Sequence, residues 1–100
     1  MSNDQGCCST LLVILTQARE LLAAPENDFS WSGWHDSEQA LSEIDGYLAT
    51  LQAGKLPPVS QLNMLFLPTG PLQEVSISSG WGEKFLALAR SFDHAIAKCA

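Results

Sequence analysis

Little in this chain of 100 residues is raw material for catalysis. It has two histidines, His35 and His94, and three cysteines, Cys7, Cys8 and Cys99. No G-x-S-x-G nucleophile elbow, Walker phosphate loop, G-x-G-x-x-G turn or H-E-x-x-H pair occurs in it. Charge is sparse too, at 16% of residues against 46% hydrophobic, which excludes an intrinsically disordered chain. Its longest purely apolar run, Leu11 to Leu15, falls far short of the roughly 20 residues that span a bilayer. No Lys or Arg precedes Arg19, so no secretory leader is expected.

Bases are missing where acids are dense. Between Glu20 and Gly54 lie seven acids (Glu20, Glu26, Asp28, Asp36, Glu38, Glu43, Asp45) and no Lys or Arg. The whole chain carries −6, so this stretch holds more than the net charge. Such a lobe repels phosphate backbones, which makes nucleic acid an unexpected partner and a basic protein or a hard cation a favoured one. A solvated helix face that keeps the protein soluble accounts for the same acids.

The cysteine pattern points to reduced thiols. Adjacent Cys7 and Cys8 are strained against pairing with each other, the count is odd, and C-x₂-C spacing is absent. Without an export signal, a cytoplasmic protein with no metal and no cofactor is the expectation. His94 follows Phe92 by two residues and therefore lies off any buried helical stripe. His35 stands beside Asp36, but no nucleophile is identifiable next to the pair. No enzyme is expected.

Periodicity divides the chain. Residues 1–7 form a polar lead-in, and residues 8–100 a single domain. A helix is expected over 8–24, with Leu11, Leu15, Ala18 and Leu22 at three- and four-residue spacing, ended by Pro25. A second is expected over 37–53, with Ala40, Leu41, Ile44, Leu48 and Leu51 on one face, Asp36 as N-cap, and Gly54 and Pro57–Pro58 beyond. Residues 61–67 alternate, with Leu62, Met64 and Phe66 on one side, and residues 72–78 alternate around Val75 and Ile77. With Pro68-Thr-Gly-Pro71 between them, they suggest an antiparallel β-hairpin. A last helix over 82–98 carries Phe85, Leu88, Ala89, Phe92 and Ile96. The order α-α-β-β-α implies an α+β domain, three helices packed on a hairpin. The open edges of such a hairpin invite pairing with a second copy.

Two local patterns stand out. Residues 28–36 place Asp28, Ser30, Ser32 and Asp36 at positions 1, 3, 5 and 9 of a calcium loop, with Gly33 at position 6. The bidentate Glu of position 12 is replaced by Gln39, so calcium or a small molecule in the 28–39 loop is the second reading there. The tripeptide Ser-Gly-Trp occurs twice, at 32–34 and 79–81, each time before a helix. A serine cap, a flexible glycine and a tryptophan staple explain it structurally. Functionally, Trp31, Trp34 and Trp81 would converge with Phe29 and Tyr47 into an aromatic cleft, flanked by Asp28, Asp36 and Glu38 as steering acids.

The strings Asn27-Asp-Phe-Ser-Trp-Ser-Gly-Trp34, Leu65-Phe-Leu-Pro-Thr-Gly-Pro-Leu-Gln-Glu74, Ser79-Gly-Trp-Gly82 and Phe85-Leu-Ala-Leu88 resemble a family of short bacterial proteins with no assigned activity. The resemblance covers residues 20–93. It implies a bacterial cytoplasmic protein and carries no functional residue with it. The function expected from the residues is a small acidic, non-enzymatic interaction module. Its partner would be another protein or itself, bound through the aromatic loops and acidic lobe.

Overall fold

Apolar side chains that recur at three- and four-residue intervals make helices the sole regular elements of the described residues. The computed structural model describes residues 3–29, 34, 36–67 and 70–99, and the side chains of all of these except 3–7 and 99. Helix α1 spans Asn3–Leu22. Leu11, Leu15, Ala18 and Leu22 are completely buried on it, with Cys8 and Ile14 close behind. It begins inside the stretch read as lead-in and stops three residues short of Pro25.

Helix α2, Ser37–Gln52, buries Ala40, Ile44 and Leu51. The Asp36 carboxylate caps it by accepting from the Gln39 amide at 2.9 Å, which satisfies one of the free amides at the helix start. Helix α3 is Val59–Leu65, directly after Pro58. Helix α4 is Pro71–Ser79, and helix α5 is Gly82–Cys99, with Phe85, Leu88, Phe92 and Ala95 buried.

The α+β expectation is overturned. No strand occurs among the described residues, and both segments read as a hairpin are helices. The burial pattern shows why. From the first segment Leu62, Leu65 and Phe66 go inside while Met64 is 63% exposed, so the spacing in use is three and four rather than two. In the second, Leu72, Val75 and Ser76 are buried and Ile77 is 66% exposed. Both sequences contain both periods, and burial chose the helical one.

The punctuation agrees. Pro71 occupies the first turn of α4, where its missing N–H costs nothing. Gly80 ends the same helix in the left-handed region at φ +86°, and the Trp81 amide donates to Ser76 O at 2.9 Å. Gly70 joins α3 to α4 under tight constraint. A Cβ there would stand 2.6 Å from Met64 O, so no side chain fits this turn. Pro68 and Thr69 lie outside the described residues.

Helix α1 is the central element. It packs against both α2 and α5, and α5 in turn carries α4. Gln17 and Leu21, late in α1, stand beside Lys84 and Leu88, early in α5, so these two helices run antiparallel. The result is elongated, with principal extents of 43 × 22 × 20 Å.

Candidate functional site

Two surfaces are chemically distinct. One is the region where α1 passes into α2, with Glu26, Asp28, Phe29, Trp34, Asp36 and Glu38 as its described acidic and aromatic residues. The other is the face made by α3, α4 and α5.

At the first, the aromatic side chains are largely used by the protein itself. Trp34 is only 4% exposed, and its Nε1–H donates to Glu43 Oε1 on α2 at 3.4 Å. Trp81 is half-buried, and its Nε1–H donates to Asn27 Oδ1 at 2.8 Å. Asn27 is held from its other side as well, donating from Nδ2 to Leu21 O at 2.6 Å. One residue on, the Asp28 amide donates to Ser79 Oγ at 2.9 Å, tying this loop to the end of α4. Phe29 and Tyr47 pack against the same core, half-buried. Trp31, Ser32, Gly33 and His35 lie outside the described residues.

The second Ser-Gly-Trp therefore works differently from a simple serine cap on the following helix. Ser79 gives its hydroxyl oxygen to a loop 51 residues away, Gly80 turns the chain, and Trp81 braces that loop. Tryptophan satisfies its ring N–H while burying its body, the usual arrangement for this side chain away from water.

Asp28, Phe29 and Asp36 do line one concavity, of about 450 Å³, together with Pro25 and Asn27. Asp36 spends one oxygen on the α2 cap, and Glu38 stands exposed on the first turn of that helix, where its charge favours the positive helix end. Among the described residues no three His, Cys, Asp or Glu side chains converge as a metal site would require.

Charge is partly neutralised within the acidic region. Arg19 on α1 meets Asp45 on α2 through two contacts, Nε to Oδ1 and Nη2 to Oδ2, so Asp45 is already engaged. Hydrogen bonding to Arg19 lowers the Asp45 pKa, and the same bond raises that of Arg19. Tyr47 is shifted up, first by burial and then by the Glu43 charge nearby.

The second surface was not legible in the sequence as a site. Phe66 and Phe92 stack at its floor, with ring centres 4.3 Å apart and planes 13° from parallel. Leu67, Leu86 and Ala89 continue the floor into an open groove of about 360 Å³, rimmed by Asn63, Gln73 and Asp93. Leu67 and Leu86 are 44% and 50% exposed. Ile77 stands one turn beyond Gln73 on α4, and Met64 projects from α3. Of the large exposed apolar side chains among the described residues, only Val13 lies outside 56–86. The signal was the pair Met64 and Ile77, which fall off the buried stripe once these segments are wound as helices.

No family model, curated protein or solved structure matches the chain. No helix among the described residues is long and apolar enough to cross a membrane.

Proposed function

We propose that this chain is a small, acidic, non-enzymatic interaction module that docks onto protein through the α3–α4–α5 face. The observation that supports this is the groove in which exposed Leu67 and Leu86 join Phe66, Phe85 and Phe92, with exposed Met64 and Ile77 on the same two short helices α3 and α4. A contiguous apolar patch is uncommon on a soluble monomer unless something uses it. Six of the nine residues that line the groove are apolar, which suits a side-chain anchor better than a small polar metabolite.

Trp34 and Trp81 act on this reading as internal braces, and the acidic lobe as a solubilising counterweight. A photoreactive residue placed at Leu86, with one at Val13 as the control, tests the reading in cells that express the protein. Covalent protein adducts from position 86 and none from position 13 are expected. Adducts from neither position, in variants that retain their helicity, would remove the proposal.

The second reading, a ligand at the 28–39 loop, draws on Asp28 and Asp36 sharing one concavity. A rise in melting temperature with millimolar calcium would favour it, and an unchanged midpoint would remove its metal form.

A further inference from the structure

We infer that the partner on the α3–α4–α5 face is a second copy of this chain, the two α5 helices crossing antiparallel about a two-fold axis that passes between Arg90 and Asp93. The inference rests on the proposed docking role of that face and adds the identity of its occupant.

Charge selects the occupant. Residues 1–54 hold eight acids and one base, whereas residues 55–100 hold three acids and four bases. Helix α2 packs on α1 and not closely on α5, so its acids Glu38, Glu43 and Asp45 belong to a different helix pair from the one that carries the groove. A strongly basic partner would be drawn to the acid-rich half. Two copies of a chain with a net charge of −6 repel at a distance, yet they can meet through their near-neutral halves with the acidic helices turned outward. The near-neutral half, residues 55–100, also carries six of the seven large exposed apolar side chains among the described residues.

Symmetry imposes a second condition, which the same face meets. A two-fold interface brings one patch against itself, so each charge on it must find its opposite on that same patch. Leu86, Arg90 and Asp93 follow one another along α5 at spacings of four and three, one stripe of a helix, and all three are exposed. Neither Arg90 nor Asp93 has an ionic partner among the described residues. In an antiparallel crossing centred between them, Arg90 of each copy faces Asp93 of the other, and Leu86 is carried toward the small, exposed Ala97. Ala89, inside the groove, leaves room for close approach of the two helices.

The size is also compatible. A stable interface takes about 800 Å² from each partner, which is about a seventh of the 5,970 Å² that this chain exposes. At 1.5 Å per residue, the 18-residue α5 alone provides a contact line about 27 Å long.

Sedimentation equilibrium on the full chain tests this. The native protein is expected at twice its 10.8 kDa mass. Leu86→Asp is expected to give a monomer with unchanged helicity, and Val13→Asp to remain a dimer. Arg90→Asp should dissociate the pair, and adding Asp93→Arg to it should restore the pair, because a two-fold contact is satisfied equally by the swapped charges. A native mass of 10.8 kDa at protein concentrations up to about 1 mM would overturn self-pairing. So would a dimer indifferent to both Leu86→Asp and Arg90→Asp. The position-86 cross-link separates the two proposals. An adduct of any mass other than two chains ends self-pairing and leaves the docking role standing, whereas no adduct at all ends both.

Discussion

The α1–α2 half and the α3–α5 half of this molecule solve opposite problems. The first is closed on itself. Its helix start is capped by Asp36, its two helices are tied by Arg19 and Asp45, and Trp34 is buried with its ring N–H on Glu43 of α2. The second is left open, with leucine, isoleucine and methionine in solvent around a stacked phenylalanine pair. Acids gather on the closed half and apolar surface on the open one. The contrast shows that aromatic residues in loops do not by themselves mark a binding surface. In this chain Trp34 and Trp81 hold structure together, and plain aliphatic residues off the buried stripe make the exposed face.

The two halves share one core and are expected to unfold together. Phe92→Ala, on the open side, is expected to cost about 3–5 kcal/mol, and Leu15→Ala, on α1, about 2–5 kcal/mol. Chemical denaturation followed by circular dichroism should show a single transition moved in both variants. A biphasic curve in Phe92→Ala, with the α1–α2 signal surviving, would mean that the halves fold separately.

The tie between the halves comes next in size. Asn27→Ala leaves the half-buried Trp81 N–H without its acceptor and frees Leu21 O, a loss of about 1–3 kcal/mol. Ser79→Ala removes only the bond to the Asp28 amide and should cost about 1 kcal/mol. Trp81 emission should shift in the first variant and hold in the second.

Two smaller effects sharpen the electrostatic side. Tyr47 keeps its proton longer when folded, because burial and Glu43 both oppose the phenolate. Stability should therefore fall as pH rises through the unfolded tyrosine pKa of about 10, and Tyr47→Phe should lose that part of the decline. Tyr47 is the single tyrosine of the chain, so ultraviolet titration reads it directly. The smallest effect belongs to Arg19 and Asp45. The Asp45 pKa is lowered in the fold, so its contribution is present above the ordinary aspartate range of about 3.9 and is lost as pH falls through the folded value. Both side chains are well exposed, so Asp45→Asn should move the midpoint only slightly, and less in high salt.

Long amphipathic stretches were legible in the sequence. The stripes Leu11–Leu15–Ala18–Leu22 and Phe85–Leu88–Phe92 sit where their spacing put them, as does the Asp36 cap. The short segments were not, because seven residues such as 61–67 satisfy a period of two and a period of 3.6 at once. Pro71 after Gly70, and Gly80 after Ser79, were the better guide there, since a proline at a helix start and a glycine at its end frame α4. Of the acids and aromatics expected to form one site, Asp28, Phe29 and Asp36 line one concavity, while Trp34 and Trp81 are bonded to Glu43 and Asn27. Sequence patterns show which side chains are suited to an interface, but whether they remain available depends on the long-range packing.

The bond from the Asp28 amide to Ser79 spans 51 positions of chain. Closing so long a loop costs entropy that no neighbouring residue returns, so contacts of this separation form late on the way to the native state. The α1–α2 pair can assemble from local contacts, including those of Asn27, Trp34 and Asp36 between its helices, but the Asp28–Ser79 bond cannot form until α4 arrives. In pulse-labelled hydrogen exchange during refolding, the Asp28 amide should be among the last to gain protection. The Asp28–Ser79 bond is thus a clasp on the acidic connector that fastens only once α4 is in place, and protection of this amide reports completion of the fold.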